Sequence, residues 1–591
     1  MAVELYSRPT GRRNRPEFMD LEGLAALVSD DARIAIGGFH FSRLPVALVQ
    51  AVARRGVKNL HYICWGGSLG LEILLEGGCV GRIGLCFNSL DVFGLSPRFR
   101  KAVESGEIPM EDLTDTVLME GHRAAQYGMD SMSFVLPLGS QLLERTTMGS
   151  EHPDPLTGRQ IGVAEPIPLD ATLLHAQRAD EDGNVEIQGA RNLDLTAGFA
   201  SRDILVSVEE IVPVGTFQQP DSPRGFILPR TFVRAIAHAP YGAYPTSCLP
   251  YYPTDYRELA RLTSSSSLDI EMPDSVRQTF LAKTATIEPA AIDGPALLKQ
   301  RDSAGSEDAP STVDEVMVAW LAHQYDNDSI CSVGSFSPLA FCSYLLAKKT
   351  HAPDLVIMSY NGGLVDIGNR PMAMMLAEPL DFQTAVSHIG GDDSFHWYYQ
   401  RGLITHEVVS AAQIDKRCQT NNFKVTSPNG KKIRLPGQGG MADVANMHQH
   451  FMLYLTRHST LTMVEQVEAV SAARALLTDE ERRDAGLQPG VVRLITNLGV
   501  FALDESSREL ELVSLHPGVT VEEVQANTGF TLRLASDLQE TTLPTQRELN
   551  ILRREIDPLG MRFVEFVAGK ERGPLLMSLI EAEEAAVREL V

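Results

Sequence analysis

The residues Ser359-Tyr360-Asn361-Gly362-Gly363 follow the continuous apolar run Leu355-Val356-Ile357-Met358. An unbroken apolar run of this length reads as a strand buried on both faces of a parallel sheet. The Asn-Gly-Gly that follows turns the chain at the strand's carboxyl end, where open α/β sheets bind their ligands. Two further stretches have the same form: Gly37-Gly38-Phe39 after Arg33-Ile34-Ala35-Ile36, and Gly66-Gly67-Ser68 after Leu60-His61-Tyr62-Ile63-Cys64. Glycine lets the main chain approach a ligand closely. Gly37, Gly38, Gly66, Gly67, Gly362 and Gly363 are therefore candidate ligand-lining residues, and the N–H groups of Gly37-Gly38 and Gly362-Gly363 are candidate oxyanion donors. Tyr360 and Asn361, the polar side chains at the leading turn, are candidate catalytic residues.

Positioning these turns requires βαβ units. A strand over residues 33–36, a helix from Leu44 to Arg55 and a strand over 60–64 make the first. The second runs from a helix ending at His323 through a strand at Ile330–Val333, the turn Gly334-Ser335-Phe336 and a helix to Lys349, into the strand before Ser359. Matching order and turn composition predict an internal repeat. Each half then carries a related signature, Ala179-Asp180 with Gly183-Asn184 in the first and Gln413-Ile414-Asp415 with Asn421 in the second. The expected fold is α/β, two homologous open parallel-sheet domains fused in tandem, over residues 1–288 and 312–591. Residues 289–311, rich in Pro, Ala, Gly, Ser and acid, have linker composition, so a cut near residue 300 is expected to leave both halves foldable. The segment from Pro574 to Val591 reads as a surface or oligomer-contact helix.

At 591 residues the chain exceeds a single core. Its 52 Lys+Arg against 76 Asp+Glu give a formal charge of −24, which argues against non-specific binding to nucleic acid or anionic membrane. Seven scattered cysteines without a CxxC pair fit a reducing compartment, and no apolar run reaches membrane-span length. A cytoplasmic protein is expected. Neither His388, His396 and His406 nor His448, His450 and His458 have zinc-ligand spacing, so no metal is predicted. Gly437-Gln438-Gly439-Gly440 looks like a phosphate-cradling loop, but no Gly-Lys-Ser/Thr follows, which argues against a nucleoside triphosphate.

The residues resemble the family I CoA-transferases. The first half is similar to the glutaconate CoA-transferase α subunit through Gly37-Gly38-Phe39, Arg43, Pro45, residues 56–60 (Gly-Val-Lys-Asn-Leu), Ala179-Asp180 and Gly183-Asn184. The second is similar to the β subunit through Ala352-Pro353-Asp354, Ala412-Gln413-Ile414-Asp415 and Gly437-Gln438-Gly439-Gly440. Its later motifs, Asn497-Leu498-Gly499-Val500-Phe501, Ser514-Leu515-His516-Pro517-Gly518-Val519, Leu543-Pro544-Thr545 and Ile556-Asp557-Pro558, most resemble the hydrolases that open a cyclic diketone CoA ester in steroid degradation. Two departures stand out. Transferases of the family carry Ser-Glu-Asn-Gly where this chain has Ser359-Tyr360-Asn361-Gly362. The Gly-Asn of the Asp-x-x-Gly-Asn signature is replaced around Arg417-Cys418-Gln419, so that turn is expected to be built differently.

The resemblance implies an acyl-CoA substrate, with coenzyme A part of that substrate and no separate cofactor, and a homo-oligomer of the fused chain. A phenol at residue 360 cannot form the glutamyl thioester that CoA transfer requires. The resemblance therefore implies a C–C bond hydrolase, with Glu120 in Met119-Glu120-Gly121-His122-Arg123 as general base. It implies Arg43 and Arg123 as clamps for a carboxylate or CoA phosphate, and Gly437, Gly439 and Gly440 as part of the CoA or acyl site. A CoA-transferase using another acid such as Glu378 or Glu407, a glutaconyl-type CoA decarboxylase and a non-catalytic CoA sensor remain open at this point.

Overall fold

The computed structural model describes residues 14–220, 225–298, 309–334, 337–359 and 363–591. They form two compact units. Unit 1 holds the described residues up to Leu136, with Leu142–Thr286 and His388–Asp393; unit 2 holds Pro137–Gln141, Ile287–Ser387 and Ser394–Val591.

In unit 1 the strands β1 (Glu17–Met19), β2 (Arg33–Ile36), β3 (Leu60–Gly66), β4 (Val80–Phe87), β5 (Met110–Asp112), β6 (Leu169–Asp180), β7 (Ser201–Val212) and β8 (Val233–His238) pair in the order β1-β8-β7-β6-β2-β3-β4-β5. Every pairing on this path is parallel. The chain builds from β2 outward to β5, then returns to the other side of β2 with β6, so strand order reverses between β2 and β6. The apolar runs that predicted strands are buried, with Ile34, Leu60, Tyr62, Ile63, Leu173 and Leu205 inaccessible to solvent. Helix α1 (Val46–Arg54) joins β2 to β3, α2 (Ser68–Glu76) follows β3, and α3 (Asp115–Tyr127) follows β5.

Unit 2 repeats the plan. Strand β9 (Ile330–Ser332), helix α4 (Pro338–Thr350) and strand β10 (Val356–Ser359) match β2, α1 and β3. With β11 (Leu364–Val365), β12 (His406–Ser410), β13 (Phe451–Leu455), β14 (Val492–Thr496), β15 (Gly499–Asp504), β16 (Glu509–Leu515) and β17 (Arg533–Glu540), the path runs β11-β10-β9-β12-β13-β14-β15-β16-β17. The order again reverses beside the first strand, between β9 and β12. The second signature turn departs from expectation. Cys418 takes the left-handed conformation (φ 58°) that Gly183 takes (φ 92°) in unit 1. Cys418 donates its N–H to the Asp415 carbonyl as Gly183 does to Asp180, both at 2.8 Å. The two turns share one geometry, and only the residue bearing the strain differs.

Two other expectations change. Helix α5 (Arg572–Leu590) is not a free surface element: Leu576, Leu579, Ile580 and Val587 are buried. Glu583 on it accepts the N–H groups of Met374, Met375 and Leu376 at 2.8–3.2 Å. An acidic face that looked solvated in sequence thus ties down a loop of unit 2. Within the predicted linker, Pro289–Ala291 and Gly294–Leu298 form a 3-10 turn and a short helix. A cut near residue 300 would also strip His388–Asp393 from unit 1 and Pro137–Gln141 from unit 2. Each segment is held by specific bonds: Gln141 exchanges hydrogen bonds with Val470 at 2.9 Å in both directions. The expectation of independently foldable halves is therefore revised.

The C-terminal motifs have structural work. His516 bonds the Thr496 carbonyl at 2.7 Å and Thr541 Oγ1 at 3.0 Å. Asp557 holds Arg562, which also reaches Asp314 at 2.5 Å. Among the described residues no helix is long and apolar enough to cross a membrane.

Candidate functional site

In unit 1 the loop after β2 is strained. Gly38, His40 and Arg43 have φ values of 75°, 51° and 52°, and such clusters are characteristic of functional turns. Asp194 clamps this loop. Its Oδ1 accepts the Gly38 N–H at 2.7 Å, and its Oδ2 lies 2.6 Å from the Arg43 guanidinium. Arg43 is buried and donates to the carbonyls of His175 and Ala190 at 3.1 and 2.9 Å. The predicted ligand clamp is an internal brace.

The glycine donors are corrected likewise. Gly37 donates to the Leu173 carbonyl at 2.8 Å, Gly38 to Asp194, and Gly67 to the Phe87 carbonyl at 3.2 Å. With these N–H groups turned inward, the glycines serve close packing. A Cβ on Gly37 would lie 2.3 Å from Leu174, one on Gly66 2.9 Å from Phe39, and one on Gly67 2.3 Å from Asn88 Oδ1.

Two groups of unit 1 with unsatisfied hydrogen-bonding capacity, Asn88 and Ser68, were not among the candidate site residues of the sequence. Asn88, one residue beyond β4, is 1% exposed, and neither end of its amide has a partner among the described residues. Ser68 Oγ, at the carboxyl end of β3, is buried and unpartnered in the same sense. An unmet buried amide or hydroxyl is destabilising by about 1–3 kcal/mol, which a ligand or water bonded to it would relieve. Asn88→Ala is therefore expected to change unfolding free energy by less than about 1 kcal/mol, since no protein hydrogen bond is lost, while raising the KM for acyl-CoA. Urea titration and steady-state kinetics check both halves. The sequence signal was present: a polar residue directly after the apolar run ending at Phe87.

Glu120 lies in α3 and is 2% exposed. Thr114 caps the helix by accepting the Val117 N–H at 3.0 Å, and His122, two positions further along, bonds the Ile167 carbonyl at 2.9 Å. Arg123 pairs with Asp392 at 3.0 Å, and Arg191 with Asp393 at 2.9 Å. Both acids belong to the His388–Asp393 segment, which lies against Trp65 through Gly391. The second arginine expected to hold an anionic ligand thus already has a carboxylate partner.

In unit 2, Tyr360, Asn361 and Gly362 lie outside the described residues, while Gly363 leads into β11. The strand end before them is anchored: Ser359 donates to Asp381 Oδ2 at 2.8 Å, and Arg370 makes two bonds to the same carboxylate at 2.5 and 2.8 Å. Gly437 and Gly439 have φ values of 108° and 55° in the loop entering helix α6 (Met441–Met447), and Gly440 is its N-cap.

A second constellation sits at the β9/β12 reversal. Glu407 on β12 is level with Ser332, the last residue of β9. The Ser332 and Tyr399 hydroxyls are hydrogen-bonded to each other, and Tyr399 donates to Glu407 Oε2 at 3.4 Å. His448, the C-cap of α6, lies edge-on to Tyr399 with its Nδ1 3.9 Å from Glu407 Oε2. Burial pushes the Glu407 carboxyl up to about 7 against the hydrogen bonds from Ser332 and Tyr399. Burial likewise pushes His448 down to about 3, with the Arg474 charge adding to it. Glu378, the other alternative acid, is partly buried at the start of a helix, Ala377–Thr384.

Among the described residues, His175, Glu209 and Cys248 have donor atoms within 4.8 Å of one another. His175 already bonds Ser207 Oγ and Glu209, and Glu209 also accepts from the Tyr252 hydroxyl and the Tyr241 N–H. The chemistry of this set is that of a hydrogen-bonded core.

Two open sheets in one chain, parallel throughout along the main path of unit 1 and with a parallel centre flanked by antiparallel strands in unit 2, each with polar side chains gathered beside its strand-order reversal, define a two-unit α/β protein. The sequence model of the Coenzyme A transferase family matches residues 18–238 and 316–527, and the chain belongs to that family. It is an enzyme acting on acyl-CoA. One of the two subunits of the 3-oxoadipate CoA-transferase of Pseudomonas knackmussii is 31% identical over 245 residues, 41% of this chain and 92% of that protein. The cholesterol ring-cleaving hydrolase IpdA subunit of Mycobacterium tuberculosis is 30% identical over 281 residues, 46% of this chain and 95% of that protein. An acyl-CoA transferase from Escherichia coli O157:H7, solved as a thioester complex with CoA, superposes with a TM-score of 0.64 at 15% identity, covering 91% of this chain and 96% of that one. At that identity the superposition speaks for the fold alone.

Proposed function

We propose that this enzyme opens a cyclic β-diketone CoA ester by adding water across a ring C–C bond. The observation that carries the reading is Tyr360, next in sequence after β10, where CoA transfer requires a carboxylate. Similarity to a ring-cleaving hydrolase subunit over 95% of its length supports it. Glu120, buried on α3, is the general base. It takes a proton from water as the water oxygen bonds to the ring ketone carbon. The tetrahedral adduct then breaks its C–C bond, the electron pair leaves as the enolate of the thioester, and a proton on that carbon completes the product. Asn88 and Ser68 are the groups in unit 1 that hydrogen-bond the ligand. No cofactor beyond the coenzyme A of the substrate takes part. The chain combines what some of its relatives carry as separate subunits, and we expect it to assemble as a homo-oligomer.

The buried Glu407 favours a second reading, CoA transfer with that carboxylate as acyl carrier. One experiment separates the two. The enzyme is incubated with a cyclic β-diketone CoA ester in heavy-oxygen water, and in parallel with acyl-CoA and hydroxylamine. Heavy oxygen in the new product carboxylate, with no hydroxamate on the protein, is expected. A hydroxamate trapped on Glu407 would establish transfer, and carbon dioxide release would establish decarboxylation.

A further inference from the structure

At the β9/β12 reversal of unit 2, two features have no role in the reaction as drawn. His448 is fully buried, and both its ring nitrogens lack a hydrogen-bond partner among the described residues. A neutral imidazole always presents one donor and one acceptor, so it is built to meet a polar group that the described residues do not supply. Glu407 Oε2 faces His448 across 3.9 Å, and Oε1 lies where a Cβ on Gly334 would stand 3.3 Å away, so the carboxylate extends under the turn that follows β9. A side chain there would crowd the carboxylate by a few tenths of an ångström. Tyr399 holds the carboxylate from the third side and is fixed in turn by Ser332 and by stacking on Phe395 with ring centroids 4.3 Å apart.

We propose that Glu407 exchanges a proton with the α-carbon of a CoA thioester, with His448 as hydrogen-bond partner of the thioester oxygen and Tyr399 as a positioning residue. The inference rests on the acyl-CoA reading. As base, the carboxylate forms an O–H bond while the α C–H bond breaks and its electron pair moves into the enolate. As acid, it returns a proton to that carbon while the enolate pair forms the new C–H bond. No oxidant or second substrate is needed.

The titratable neighbours make the pH behaviour readable. Tyr399 and His448 face the carboxylate. The Tyr344 hydroxyl accepts the Val408 N–H at 2.9 Å beside it. Arg474, beyond His448, bonds the His448 carbonyl at 2.8 Å. His406 turns to Tyr325 and His450 instead.

The test follows deuterium entering the α-position of butyryl-CoA in D2O by mass spectrometry, so it does not depend on ring opening. Because the carboxylate is the base, the exchange rate should rise with pH and level off above about 7, where burial places the Glu407 carboxyl. Glu407→Gln, an isosteric change, should lower exchange by about a hundredfold or more. Tyr399→Phe removes a hydrogen bond that favours the carboxylate, so its profile should shift to higher pH. Infrared difference spectra of the ligand-free proteins supply a readout free of activity: wild type minus E407Q should show a carboxylic acid band at pH 6 that fades by pH 8. Equal exchange in wild type and E407Q, no exchange in wild type, or no such band would each overturn the proposal. Failure of ring opening with exchange intact would remove the hydrolase reading alone.

Discussion

Asp194→Ala lowers the unfolding free energy of unit 1 by about 3–5 kcal/mol, the range for removing one partner of a buried ion pair. The side chain is fully buried, and its carboxylate is both the acceptor for Gly38 N–H and the counter-ion of Arg43, itself 2% exposed. Removal leaves a guanidinium facing two carbonyls without a negative charge, and a donor in a left-handed turn without an acceptor. Asp194→Asn keeps the shape and one acceptor, so its loss should be smaller. Urea unfolding followed by tryptophan fluorescence decides the matter, because Trp65 lies in unit 1 beside Phe39 with ring centroids 4.5 Å apart. A loss below about 1 kcal/mol for the alanine variant, a value ordinary for one neutral hydrogen bond, would show that the clamp does not hold the loop.

Glu120→Gln lowers kcat for a cyclic β-diketone CoA ester by about 10²–10⁴-fold, the usual contribution of a positioned general base. The amide keeps the size of the buried side chain, so the unfolding midpoint should stay close to wild type and KM should change little. That split between kcat and KM marks a group acting at the transition state. Arg123, one turn further along α3, provides the contrast. Its charge is already met by Asp392, and Arg123→Ala should affect stability of the His388–Asp393 segment more than the chemical step. Undiminished turnover in the Glu120 variant would transfer the base to another residue.

The sheet plan was legible because its signals are local. Apolar runs ending in paired glycines gave β2, β3 and β10, and the helix expected from Leu44 to Arg55 forms over Val46–Arg54. The roles of the glycines were not legible, since the partner that engages Gly38 lies 156 residues away. Arg43 read as a free cation for the same reason: its counter-ion and carbonyl partners come from residues 175–194. The motif Asp-x-x-Gly-Asn was read too literally at Asp415, because tertiary contacts hold Cys418 at a positive φ that sequence preference assigns to glycine. In the sequence Glu407 stood beside Glu378 as an alternative acid, with nothing to choose between them. What distinguishes it is burial beside Ser332, Tyr399 and His448, contributed by three separate stretches of chain.

The exchange of short segments has a consequence for how the chain is made. Synthesis proceeds from the amino terminus at about 5–20 residues per second, and unit 1 acquires its last piece only with Asp393. Its earlier portion must therefore wait on the ribosome, incomplete, while roughly a further hundred residues emerge. Two fragments divided between the sheets would each lack a piece that the other carries, so mixing them during refolding should recover what neither attains alone.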